Sequence, residues 1–167
     1  VMEQVTERAV TGSGLRRLGQ NVHDRGSTAR AVNELRDPEV QRDLLTDRVE
    51  TMIAEIALEL RDAKKSGTEA EVFNQKQSQL IEAASAHGHL LQWEAFTEAL
   101  NRIEDEGTKQ VLTWVRDLFG LHTIEKNLSW YLIKGRLSAQ RAEAVTAYVD
   151  RLITRLRTHA QDLVDSV

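Results

Sequence analysis

One proline stands in this chain, and its position sets the architecture. Asp37-Pro38-Glu39 combines a side-chain acceptor suited to a helix N-cap, a ring whose φ is preset for a first turn, and an acid near the positive helix end. From there Val40, Leu44, Leu45, Val49, Met52, Ile53, Ile56 and Leu60 recur at steps of three and four, the spacing that keeps one helical face apolar. Lys64 and Lys65 suit the negative end of the helix dipole, and Gly67 suits a C-cap. A long helix from Asp37 to Gly67 is therefore expected. The nine glycines of the chain are too few to punctuate the many tight turns of a β-sandwich or barrel.

Thr68 and Glu71 have the spacing of a capping box, so a second helix is expected to begin at once, over about Glu69 to Ile103, antiparallel to the first. Its expected inward positions are Phe73, Leu80, Ala84, Leu91, Phe96, Leu100 and Ile103, with Gly88 marking a bend or a close helix crossing. Glu104-Asp105-Glu106-Gly107 reads as a solvated turn rather than a ligand site. A third helix is predicted over about Thr108 to Lys134, apolar at Val111, Leu112, Val115, Leu118, Phe119, Ile124, Leu128 and Leu132, softened at Gly120 and stopped at Gly135. Ser138 is the expected N-cap of a fourth helix, whose Ala142, Val145, Val149, Leu152, Leu156 and Leu163 fall at near-heptad spacing almost to the last residue. Upstream, the clusters Thr11-Gly12-Ser13-Gly14, Gly19-Gln20-Asn21 and Arg25-Gly26-Ser27 leave room only for short helical turns at Leu15 to Leu18 and Ala29 to Leu35. The expected fold class is all-α: an elongated up-down bundle of four long helices over residues 37–167, preceded by an irregular N-terminal arm over residues 1–36.

Composition narrows the function classes. With 41% hydrophobic and 29% charged residues in 167, the chain suits one globular domain with a real core. It has no cysteine, which removes disulfides, thiolate nucleophiles and sulfur-ligated zinc. A net charge of -4 with both signs interspersed argues against nucleic acid. No apolar run approaches the roughly 20 residues needed to cross a bilayer. Val1, Val5, Ala9 and Val10 already form a helical pattern around Met2, so the chain is expected to be cut from a longer one.

Candidate sites are sparse. His87 and His89 lie two apart on a helix and point about 200° away from each other, so they cannot share a metal ion. His122 and Glu125 share a face, but di-iron bundles need Glu followed three residues later by His on two helices, with two further Glu ligands. Trp93, Trp114, Trp130 and Tyr131 could form a stacking surface; their helical spacing favours core or interface anchoring. Arg136, Arg141, Arg151, Arg155 and Arg157 make the fourth helix locally basic, but Glu143, Asp150 and Asp162 dilute the patch, so a solvated face or a protein contact is expected rather than phosphate binding. Neither a glycine-flanked serine elbow nor a phosphate-binding glycine loop after a strand is present.

One block carries more than any of these positions. Asp117 to Glu125 (DLFGLHTIE), followed by Trp130 to Ser138 (WYLIKGRLS), closely resembles the C-terminal helical domain of acyl-CoA oxidases. Leu35 to Gly67 and Val72 to Phe96 resemble that domain's first helix pair, and Leu152 to Ala160 with Leu163 to Val167 resemble its close; similarity over Val1 to Leu18 is weaker. The resemblance implies a parent that is an FAD-dependent flavoprotein of fatty-acid β-oxidation, oxidising acyl-CoA to trans-2-enoyl-CoA while oxygen is reduced to hydrogen peroxide. It also implies that the catalytic glutamate and most flavin contacts lie in an upstream dehydrogenase-like core. No position here matches that glutamate's motif, so no catalytic, cofactor-binding or metal residue is assigned. The implied partners are that core, a second copy in a homodimer and the acyl-CoA substrate, with neither nucleic acid nor membrane. Asp165-Ser166-Val167 is not a Ser-Lys-Leu type peroxisomal address, so a bacterial, cytoplasmic parent is expected. Lys126-Asn127 departs from the acids common in the family after the position of Glu125. The alternative is a stand-alone helical protein-interaction module, suggested by the near-heptad face of the fourth helix.

Overall fold

A computed structural model describes residues 28–165, which form helices and no strand. In chain order these are α1 (Thr28–Leu35), α2 (Pro38–Ser66), α3 (Glu69–Gln75), α4 (Gln77–Leu100), α5 (Glu106–Lys126), α6 (Leu128–Ile133), α7 (Ala139–Leu156), a 3-10 turn at Arg157–His159 and α8 (Ala160–Asp165). The expected turn at Leu15 to Leu18 and the three glycine clusters lie outside the described residues.

α2, α4, α5 and α7 are the long members of an up-down bundle. Ion pairs fix the direction of the first two: Arg42–Glu94, Arg48–Glu82 and Glu59–Lys76 ascend α2 while descending α4 to the Lys76 that caps it. α5 returns along α4, with Arg116 reaching Thr97 and Phe119 meeting His89. α7 then packs antiparallel to α5, and α1 lies against α7. Leu35, Leu121, Ile124, Tyr131, Ala144 and Val145 are fully enclosed between these helices. Each enclosed Leu or Ile contributes about 1.5–3 kcal/mol relative to an exposed one. Val32 and Leu35 of α1 belong to this same core.

Most boundaries follow from their local chemistry. Asp37 accepts from the Glu39 amide at 2.9 Å, and Ser138 accepts from the Arg141 amide at 3.2 Å. Gly67 and Gly135 end their helices at φ 74° and 64°. Each is followed by the paired 6→1 and 5→2 bonds of a Schellman motif: Thr68 N–H to Ala63 O with Gly67 N–H to Lys64 O, and Arg136 N–H to Tyr131 O with Gly135 N–H to Leu132 O. Asp105 is an N-cap that the acidic run concealed, accepting from Thr108 N–H at 2.7 Å and starting α5 two residues early.

Four expectations are corrected. The capping box at Thr68 does not form; the Thr68 hydroxyl pairs with that of Ser66 instead, at 3.2 Å. The second helix is divided at Lys76, and Gly88 leaves α4 uninterrupted. The third helix is divided at Asn127, not at Gly120. There the Asn127 side-chain amide takes the Thr123 carbonyl at 2.7 Å, the acceptor an unbroken helix would offer to the backbone, and the Asn127 N–H turns to Ile124 O. Finally, Phe73, Ala84 and Leu91 face solvent, and the inward positions of α4 are Ala83, Ala86, Leu90, Trp93 and Leu100. Leu80 and Leu100 do face the core as expected, so on a helix with apolar residues on both sides periodicity alone mixed the two faces.

Candidate functional site

The densest chemistry in the described residues is a polar junction inside the bundle, where α2, α4 and α5 meet. Gln41, with no exposed surface, has a hydrogen bond for each side of its amide. Its nitrogen donates to Leu35 O at 2.8 Å and to Asp117 Oδ1 at 3.1 Å, and its oxygen accepts from Trp93 Nε1 at 3.2 Å. Arg116 clasps the neighbouring Asp117 through Nε at 2.9 Å and Nη2 at 2.8 Å. It also donates to Thr97 Oγ1 at 3.2 Å and lies over the Trp93 ring, 5.2 Å from its centroid. Gly120 makes room for this tryptophan: a Cβ there would stand 2.7 Å from Trp93 Cδ1 and Nε1 and 2.9 Å from Gln41 Oε1.

Burial pushes the Asp117 carboxyl above its ordinary range, although Arg116, Gln41 and Arg36 pull the other way. Tyr148 lies close by; its phenol is raised by burial and by the Asp117 charge, against the pull of Arg36 and Arg155. Asp117 is only 3% exposed. An acid so placed ties helices together and meets no diffusing substrate. The sequence signal for the junction was a polar Gln41 on the apolar stripe of α2, and its partners lie 52 and 76 residues away.

A second tie joins the α6–α7 corner to α2. Tyr131 is fully buried and donates to Leu44 O at 3.1 Å, and burial raises its phenol far above the usual range. Arg136 donates to Thr51 Oγ1 at 2.8 Å and pairs with Asp47 at 3.0 Å. Arg136 and Arg141 are each only 7% exposed, so the expected solvated basic face reduces to Arg151, Arg155 and Arg157. The four aromatics do not converge on one surface. Trp93 is sealed in the junction, Trp114 is flanked by Arg155 and His159, and Trp130 stands edge-on to Tyr131 with Arg48 over it. His122 Nδ1 lies 3.1 Å from Glu125 Oε2, and His87 is exposed. No group of three or more potential metal-binding side chains occurs among the described residues. No described helix is long and apolar enough to cross a membrane.

The sequence profile of the acyl-CoA oxidase family matches residues 37–167. Peroxisomal acyl-coenzyme A oxidase 2 of Oryctolagus cuniculus is 36% identical over 110 residues, 64% of this chain and 16% of that protein. Peroxisomal acyl-coenzyme A oxidase 1 of Phascolarctos cinereus is 26% identical over 137 residues, 81% of this chain and 21% of that protein. The crystal structure of acyl-CoA oxidase 3 from Yarrowia lipolytica superposes with a TM-score of 0.69 at 19% identity, covering 93% of this chain and 24% of that one, and so shares the fold. The chain thus spans under a quarter of the length of these proteins. Both curated relatives are peroxisomal proteins of eukaryotes, which overturns the expectation of a bacterial, cytoplasmic parent. That expectation rested on Asp165-Ser166-Val167, and a stretch within a partial match carries no information on a whole protein's address. The junction around Asp117 and Gly120 and the Tyr131–Arg136 corner fall inside the matched region, and on that match the chain belongs to the acyl-CoA oxidase family.

Proposed function

We propose that this chain is the non-catalytic helical portion of a longer, FAD-dependent acyl-CoA oxidase, which it supports by packing against the catalytic core and by helping two subunits associate. The observation that carries the reading is the family match over residues 37–167 in a chain spanning 16% and 21% of its curated relatives. In such a parent the core would bind FAD and acyl-CoA and carry out the oxidation of the fatty acyl chain. This chain would contribute a rigid bundle held by the two polar ties. We assign it no catalytic, flavin-binding or metal-binding residue. The division into an arm over residues 1–36 and a domain over residues 37–167 is retained as part of the proposal, with the arm anchored through Val32 and Leu35.

The test compares the 167-residue chain with the longer gene product. The chain alone is expected to purify without flavin absorbance and to produce no peroxide from acyl-CoA, whereas the longer protein is expected to carry flavin and to produce peroxide. Stoichiometric flavin and turnover by the chain alone would overturn the reading.

A further inference from the structure

α1 is too short to be helical on its own account. It has eight residues, no acid in its first turn and no base in its last, and isolated helices under about 12–15 residues are marginal in water. It is held from outside. Val32 and Leu35, three apart on one face, are buried, and the helix packs mainly on α7 and to a lesser extent on α2. Asn33, between them, is exposed. The family match begins just beyond this helix, at residue 37.

The end of α1 completes the polar junction. The Gln41 amide nitrogen carries two hydrogens, and its two acceptors are Leu35 O at 2.8 Å and Asp117 Oδ1 at 3.1 Å. One half of this donor is satisfied by α1 and the other by α5. The next residue, Arg36, is exposed, yet it hydrogen-bonds the Tyr148 phenol and draws on the Asp117 charge. Arg36 thus stands between the buried acid and solvent on the α7 side.

These contacts make two events one. If α1 leaves, Gln41 Nε2 loses an acceptor in a place with no exposed surface, and a donor left without a partner there is costly unless water replaces the lost carbonyl. Undocking α1 and wetting the junction are then the same opening. The long helices keep their mutual ties in it, because Arg42–Glu94, Arg48–Glu82, Gln41–Asp117 and Trp93–Gln41 involve no residue of α1. Openings smaller than global unfolding come from segments held by few contacts of this kind.

We propose that α1 is a latch on the polar junction: it docks and releases as a unit, without unfolding the four long helices, and its release admits water to Gln41 and Asp117. This latch is a property of the bundle alone and holds whether or not the parent protein is an oxidase. A chain entering through α1 is thereby tied to the point where α2, α4 and α5 meet.

The test is hydrogen exchange followed by nuclear magnetic resonance on the full 167-residue chain, under conditions where exchange follows the opening equilibrium. The backbone amide of Leu35 and the side-chain amide of Gln41 should be protected to the same degree, and less than the backbone amide of Met52, buried in the middle of α2. Asn33→Ala, an exposed change that strengthens the helix, should slow exchange at Leu35 and Gln41 together, by about two- to threefold. Ile56→Val, in contacts that the released state retains, should speed exchange at Met52 by about two- to tenfold and leave Leu35 and Gln41 unchanged. A Gln41 side chain that exchanges as slowly as Met52, and is speeded with it by Ile56→Val, would show that the junction opens only with the whole bundle and would overturn the latch. Exchange that Asn33→Ala slows at Leu35 but not at Gln41 would overturn the link between α1 and the junction.

Discussion

Gly120 and Trp93 occupy one space: the indole fills the volume that any Cβ on residue 120 would need, at 2.7 Å from two of its ring atoms. Alanine would improve helix propensity in α5 by about 1 kcal/mol, while overpacking typically costs about 1–3 kcal/mol. Trp93 cannot yield cheaply, because its Nε1 is bonded to Gln41 and Arg116 covers its face. Gly120→Ala is therefore expected to be net destabilising, by up to about 2 kcal/mol, in urea unfolding. A neutral or stabilised variant would show that propensity outweighs this contact.

Asp117 makes stability depend on pH. Burial raises its carboxyl above the ordinary 3.8, so the folded chain holds the proton more tightly than the unfolded one. The contribution of this group is then fully present below 3.8 and declines as pH rises through the folded-state value. Measured by urea unfolding between about pH 4 and pH 7, the stability of wild type relative to Asp117→Asn should fall with rising pH. A relative gain instead would mean that Arg116 and Gln41 outweigh burial.

Both tyrosines of the chain have phenols raised chiefly by burial. A raised acid favours folding below its ordinary value and disfavours it above, so stability should be lost as pH climbs past 10. Ultraviolet titration should show phenolate appearing together with unfolding, not ahead of it. Tyr131→Phe keeps the ring and removes the bond to Leu44 O, at an expected cost of about 1 kcal/mol in urea unfolding.

Gly135 takes φ 64° with nothing near enough to obstruct a Cβ, so only backbone strain opposes a side chain there. Gly135→Ala should cost about 1–2 kcal/mol, and Gly135→Asn less, because asparagine tolerates the left-handed region better. Equal losses in thermal or urea unfolding would point to a packing cause instead.

The sequence revealed what is written locally. Asp37, Pro38, Gly67, Gly135 and Ser138 each act within four residues of themselves, and the helix ends they imply are the ends observed. Misreadings arose where the deciding partner is remote or where two answers share one pattern. Arg136 looks like surface charge until Asp47 and Thr51 are placed beside it. Asp117 was recognised as part of a family block, but its engagement with Gln41 depends on the packing of α2 against α5. On α4 the apolar residues on the outer face obscured which side faces the core, and Asn127 carried its break in a side-chain bond that competes with the helix it interrupts.

The polar ties have a consequence for how fast the chain can assemble. Bundles of antiparallel helices usually fold quickly because neighbouring segments meet early. Here the Gln41–Asp117, Tyr131–Leu44 and Arg136–Thr51 bonds close separations of 76, 87 and 85 residues. None can form until the third long helix, or the corner after it, has returned to the first. During synthesis α2 therefore emerges with Gln41 and Arg48 on its apolar stripe, and it waits for more than half of the described chain before Gln41 acquires all its partners.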